Sequence, residues 1–304
     1  MRKLTYIFFF LLSFPLFSQD TLMPYILLDD VIISESNNGF SVEDFIGYVK
    51  NDTTFYMAFK HLRYYQHDYD GELNIYNKKN KKIGSLNKSG VHYVKDNKAW
   101  VVNNKIKHDG KIFKRNGKYH YYTAEAFDKI FFPKDTINVS LKIRKKSSQE
   151  DQNVRDAKTI GFSVGSNETQ QSKGGLNKKL AIFDINMQQY YDYIISDTIY
   201  NNKLCYVFTV SVKKDLSQKD KKNALIRKIV SFFDKENFNV LYREYKFVYN
   251  HLVFDVDMNV IVNIDYVDDK HLPTSIYYNG YWNVLFFKPE RANFNLKLSN
   301  YKVL

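Results

Sequence analysis

With 304 residues, including 24 Phe and 25 Tyr, the chain has apolar area for one large core or two modest ones. Its single cysteine, Cys205, excludes an intramolecular disulfide, so packing must carry the stability. A formal charge of +12 would suit nucleic acid in a cytosolic protein, but the N-terminus points to export, which leaves anionic headgroups, acidic polysaccharide or nothing specific as the partner of that charge.

Arg2 and Lys3 precede an apolar run at residues 6–17, and Ser18, Gln19 and Asp20 then return abruptly to polar chemistry. This is the layout of a secretory signal peptide, too short for a bilayer that needs ~20 apolar residues. Its removal near residue 19 takes away Arg2 and Lys3 and lowers the charge from +12 to +10. An uncleaved anchor is the alternative. No Cys follows the apolar run, which speaks against a lipoprotein anchor there, and no later run is long or apolar enough to cross a membrane, so a soluble mature chain is expected.

Ser41 and Asp44 resemble a capping box that opens a helix with Phe45, Ile46 and Val49 on its apolar face. Asp52 reads as a second N-cap, followed by Phe55, Phe59 and Leu62 at helical spacing. Residues 71–122 change texture to short runs such as ELNIY, KKIGSL, GVHYV and AWVV, separated by NKKN, NKSG, KDNK, KHDG and KRNG. Turn chemistry at that spacing predicts an antiparallel meander. The lysines Lys78, Lys79, Lys81 and Lys82 then form a solvated hairpin tip around Asn80. Thr123, Glu125 and Asp128 open a short helix that Pro133 ends.

Residues 144–175 have few apolar side chains and no period, the composition of a flexible linker or insertion. After a short helix near residues 176–183, strand signals resume: YYDYIIS and LCYVFTVSV flank Asn201-Asn202, and a charged loop spans residues 213–223. The runs IRKIVSFF, VLYREYKFVY, LVFDVDMNVIVNIDYV, TSIYYNGYWNVLFF and ANFNLKLSNY follow. The expected organisation is a leader at 1–19, a helix-plus-meander half at 20–143, the linker at 144–175 and an antiparallel half at 176–304. Whether the halves form two domains or share one sheet stays open.

In the third of those last runs, Val256, Met258, Val260, Val262, Ile264 and Tyr266 are mostly apolar, while the alternate positions Asp255, Asp257, Asn259, Ile261, Asn263 and Asp265 are mostly polar. A period of two over this length predicts one buried and one wet face. A sheet this long must twist. Its buried face is covered by helices, by another sheet or by a ligand.

Catalytic patterns are weak. Gly161-Phe162-Ser163-Val164-Gly165 matches the G-x-S-x-G elbow of hydrolases, and His271 follows it in the right order. The elbow requires an apolar strand before the serine and a helix after it, and neither neighbouring segment has that character. His251, Asp255 and Asp257 would share a strand face and could suggest a divalent ion, but acids on a wet face are ordinary. Nothing fixes the separation of Glu244 and Glu290, and Cys205 within a strand reads as a small core residue. No P-loop, dinucleotide fingerprint or zinc-ligand spacing appears, so no cofactor and no metal are expected.

Three stretches carry a resemblance: DTTFYMAFKHLRYY, GKIFKRNGKYHYYTAEAFDKIFF and KHLPTSIYYNGYWNVLFFKPERANF. Together they resemble exported proteins of Bacteroidota-type bacteria. The later half, with its run of strands and a Leu-Pro-Thr turn at residues 272–274, is also similar to the lipoprotein-carrier (LolA/LolB-like) superfamily. That resemblance implies a strongly curved antiparallel sheet capped by helices around an apolar cavity for acyl chains.

The expectation is therefore an α+β protein, with curved and mostly antiparallel sheet covered by a few short helices. It is read as exported to the periplasm or envelope of a Gram-negative bacterium, without catalytic residues. Val256, Met258, Val260, Val262, Trp282, Val284 and Phe286 are the candidate ligand-binding or core positions. Lipid or lipoprotein acyl chains and an anionic membrane surface are the expected partners, not nucleic acid. A structural or interaction module with a filled core is the second reading, and a hydrolase using Ser163 and His271 the third.

Overall fold

Alternating side chains and tight polar turns make long hairpins, and the computed structural model is built almost wholly from them. It describes residues 45–47, 49, 54–132, 136–139, 175–250, 254–284 and 289–302. The leader, the capping-box residues Ser41 and Asp44, Asp52, Pro133, the GFSVG motif and all of the linker except Gly175 lie outside these residues.

Eleven strands form one sheet: β1 (Gln66–Tyr76), β2 (Lys82–Lys95), β3 (Lys98–Gly110), β4 (Ile137–Asn138), β5 (Tyr191–Tyr200), β6 (Lys203–Val212), β7 (Ile226–Asp234), β8 (Val240–Asn250), β9 (Phe254–Val267), β10 (Lys270–Val284) and β11 (Glu290–Lys302). The order is β4-β3-β2-β1-β11-β10-β9-β8-β7-β6-β5, every pairing is antiparallel, and the curved sheet stays open. β1 pairs with β11, with Leu73 opposite Phe294, so the two halves of the sequence join within a single sheet. Among the described residues the helices are short: α1 (Thr54–His61), α2 (Tyr122–Phe131), α3 (Gly175–Leu180), α4 (Ile185–Gln188) and α5 (Gln218–Lys221). The charged loop expected at residues 213–223 thus contains a turn of helix, α5, capped by the Ser217 hydroxyl, which accepts from the Asp220 N–H at 3.1 Å.

The turns follow the polar pairs. Asp96-Asn97, Asn201-Asn202 and Asp268-Asp269 each place two consecutive residues at positive φ, between 46° and 62°, as a tight hairpin between right-twisted strands requires. Asn80 also has positive φ, and the four lysines around it are exposed. Two expected turns are not turns. Residues 87–90 (NKSG) run through the middle of β2, and residues 107–110 (KHDG) form the end of β3. In β2 these residues meet packing demands. Lys88 is buried, and a Cβ on Gly90 would collide with the Val102 carbonyl and the Tyr69 hydroxyl.

The alternation of β9 appears as expected up to the strand end. Val256, Met258, Val260, Val262 and Ile264 are buried, Asp257 and Asp265 are exposed, and Tyr266 is 48% exposed where the strand leaves the core. Residues 45–47 and 49 are helical, with Phe45, Ile46 and Val49 buried, and α1 buries Phe55 while packing against β10.

Candidate apolar cleft

α2 is the element that makes a site. Its first turn has no side-chain cap from Tyr121. Glu290 at the start of β11 does that work instead: its Oε1 accepts the Thr123 N–H at 2.5 Å and also the Thr123 hydroxyl. A carboxylate at this end satisfies free N–H groups and opposes the positive pole of the helix. Farther along, Asp128 on α2 takes the ammonium of Lys88 from β2 in a buried ion pair, with side chains 4% and 9% exposed. Between these two anchors the contact is aromatic. Phe127 stacks on Phe294 of β11 with ring centres 4.3 Å apart, and Phe131 lies 5.6 Å from the same ring.

The helix is pinned at two polar points, yet it does not fill the space below it. An apolar cleft, part of it open to solvent, separates α2 from the buried face of β8–β10. From the helix it is lined by Tyr122, Thr123, Ala126, Phe127, Ile130 and Phe131, the apolar stripe of an amphipathic helix. The sheet contributes Tyr245 from β8, Met258 and Val260 from β9, and Ile276, Tyr278 and Trp282 from β10. None of these side chains carries a charge. Trp282 donates its indole N–H to the Tyr278 hydroxyl and lies 5.5 Å from the Tyr122 ring. Burial pushes the Tyr245 and Tyr278 hydroxyls well above their ordinary value, so both stay neutral.

Of the seven positions singled out in the sequence, Met258, Val260 and Trp282 line the cleft. Val256 and Val262 share their face but are fully buried in packed core beside it. Val284 belongs to β10, opposite Phe254, and Phe286 lies outside the described residues. The helix half of the lining was not singled out, nor were Tyr245, Ile276 and Tyr278. The i, i+3, i+4 stripe from Thr123 to Phe131 was the available signal, but only the sheet topology shows what it faces.

The other candidate chemistries come apart. Glu290 sits on the inner face under α2, whereas Glu244 is on the outer face, where Asn259 donates to it at 3.0 Å. Asp255 accepts from Asn283 at 3.2 Å, Asp257 is exposed, and His251 lies outside the described residues. Among the described residues no three His, Cys, Asp or Glu side chains gather as metal ligands. The His271 carbonyl lies 3.3 Å from His61 Nδ1, which ties α1 to β10. Cys205 is fully buried, and burial pushes its thiol up to about 11, the behaviour of a small core residue.

No protein-family model matches the chain, and no curated protein does. Among solved structures, a DUF1329 family protein from Desulfovibrio piger is 13% identical over 86% of this chain and 90% of its own, with a TM-score of 0.25. A LolA superfamily protein from Nitrosomonas europaea is 9% identical over 84% of this chain and 94% of its own, with a TM-score of 0.24. Superpositions this loose do not bear on the chemistry of the cleft.

Proposed function

We propose that this chain is an exported, non-enzymatic protein of the cell envelope that holds a lipid or another apolar ligand between α2 and the sheet. The observation that carries the reading is the cleft with no charged side chain in its described lining, under a helix held at two points by polar contacts. Apolar pockets with few polar atoms are where small hydrophobic ligands bind. Each methylene buried contributes about 0.8 kcal/mol, so about ten offer about 8 kcal/mol of gross attraction, from which the cost of immobilisation is subtracted. Acyl chains of lipids or lipoproteins fit this chemistry, and the net positive charge suits an anionic membrane surface. The leader-like N-terminus supports a periplasmic or envelope location. No helix among the described residues is long and apolar enough to cross a membrane.

A filled-core interaction module is the second reading, favoured by the complete burial of Val256 and Val262 on the same face. The uncharged dye N-phenyl-1-naphthylamine separates the two. A ligand carrier binds it saturably with a blue shift, and Ala126→Trp, which fills the cleft from the helix side, abolishes the signal while the protein remains folded. No saturable binding by wild-type protein, together with a lipid-free organic extract of the native preparation, would remove the carrier reading and leave the module.

A further inference from the structure

We propose that the cleft selects uncharged or cationic apolar ligands and discriminates against those that bring an ionised acid group inside, because Glu290 occupies the helix N-terminus that would otherwise receive an anion. The inference rests on the ligand-binding reading and names its ligand class.

The N-terminus of a helix bordering a cleft is ordinarily a good anion site, since its N–H groups and dipole both favour negative charge. At α2 that position is taken from within. Glu290 Oε1 receives the Thr123 N–H and hydroxyl, the convergence expected around an ionised carboxylate. Glu290 is 5% exposed and lies directly across from Trp282 in the β10–β11 register. Thr123 and Trp282 both line the cleft, so the carboxylate, which is not itself part of the lining, stands directly behind its wall. The Trp282 indole N–H is committed to Tyr278, and the Lys88 ammonium, beneath the same helix, to Asp128. Among the described residues no Lys, Arg or His belongs to the lining. An acid group drawn in would meet a like charge in a poorly solvated setting, without a cation to offset it.

The matched ligands dodecan-1-ol, dodecanoate and dodecylammonium test this directly. Each displaces bound N-phenyl-1-naphthylamine from the full mature chain at pH 8, the alcohol below its solubility limit and the two ions below their critical micelle concentrations. Salt at about 0.15 M shortens the reach of the protein's overall positive charge, which by itself would favour the acid. The alcohol and the amine are expected to bind about tenfold or more tightly than dodecanoate. In Glu290→Gln, which keeps an acceptor for Thr123, the gap between alcohol and acid closes to about threefold or less. Dodecanoate binding as tightly as the alcohol overturns the proposal, as does a gap that Glu290→Gln leaves unchanged. If that variant does not fold, the wild-type amine decides: binding weaker than dodecanoate overturns the assignment. Failure of dye and all three ligands to bind would instead overturn the cleft as a ligand site.

Discussion

The β5–β7 flank and the α2 flank bury the same kind of sheet face in different ways. Over β6 and β7 the cover is inserted: Phe45 is 1% exposed, and its ring centre lies 5.1–6.2 Å from those of Tyr206, Phe208, Phe233 and Phe238. Over β8–β10 the cover is suspended: α2 is held by Glu290 and the Lys88–Asp128 pair, and the space beneath stays partly empty. Aromatic interlock supplies packing free energy and leaves no room. Buried polar anchors supply position, and desolvation largely cancels their attraction. Alternation along a strand thus says which face is covered and is silent about how closely the cover fits.

The largest expected effect comes from breaking an anchor on one side only. Asp128→Ala leaves the Lys88 ammonium buried without its carboxylate and should destabilise the fold by about 3–5 kcal/mol in urea unfolding. Replacing both partners, Lys88→Met with Asp128→Leu, should come within about 1 kcal/mol of wild type, because the desolvation cost leaves with the charges. A single variant as stable as the double would mean that the pair is not the anchor of α2.

Much of the fold could be seen in the sequence, and the remainder could not for a physical reason. The strands after residue 190, the Asn201-Asn202 turn and the buried side of β9 follow from local alternation and turn chemistry. The NKSG segment misleads because Lys88 and Gly90 answer non-local demands, a carboxylate 40 residues away and the backbone of β3. Likewise Thr123 and Glu290, which cap α2 together, are 167 residues apart. The helix half of the cleft was visible as a stripe, but its partner strands are set by the β1–β11 pairing, which no local pattern encodes.

Acid should separate the flanks next. His67 on β1 and His92 on β2 are paired across the strands and stack with ring centres 4.7 Å apart, and both Nδ1 atoms point to the Tyr65 carbonyl, at 2.8 and 3.2 Å. Burial holds both rings below their ordinary value of 6.5, and His67 falls to about 3. The unfolded chain therefore takes up protons first, and stability is lost as pH falls from 6.5 toward 3. His67 alone accounts for about 2 kcal/mol by pH 5. Glu290 works the opposite way, because burial raises its carboxyl above the ordinary value and the folded chain takes up that proton first. The β6–β7 flank responds later. Burial acts to raise the Asp234 carboxyl, but the Glu236 N–H and Lys203 outweigh it and hold it below 3.8, so its contribution disappears only in stronger acid. Amide exchange across pH 6.5 to 5 should loosen β1 and β2 before β6 and β7, and His67→Asn should flatten the slope. Simultaneous loosening of all four strands would show that the His pair is not what titrates.

The smallest effect bears on the comparison most directly, because it asks each flank to accept added volume. Val210 on β6 is fully buried in the interlocked half, and Val210→Phe should cost about 1–3 kcal/mol through overpacking. Ala126 faces the cleft, so Ala126→Leu adds three carbons where there is already space and should be neutral or stabilising by up to about 1 kcal/mol. The two changes should therefore move the unfolding midpoint in opposite directions, or one of them not at all. Ala126→Leu should also weaken dye binding, since the added carbons occupy the ligand's volume. If it destabilises as much as Val210→Phe, α2 already sits on a closed core, and the two flanks are covered in the same way.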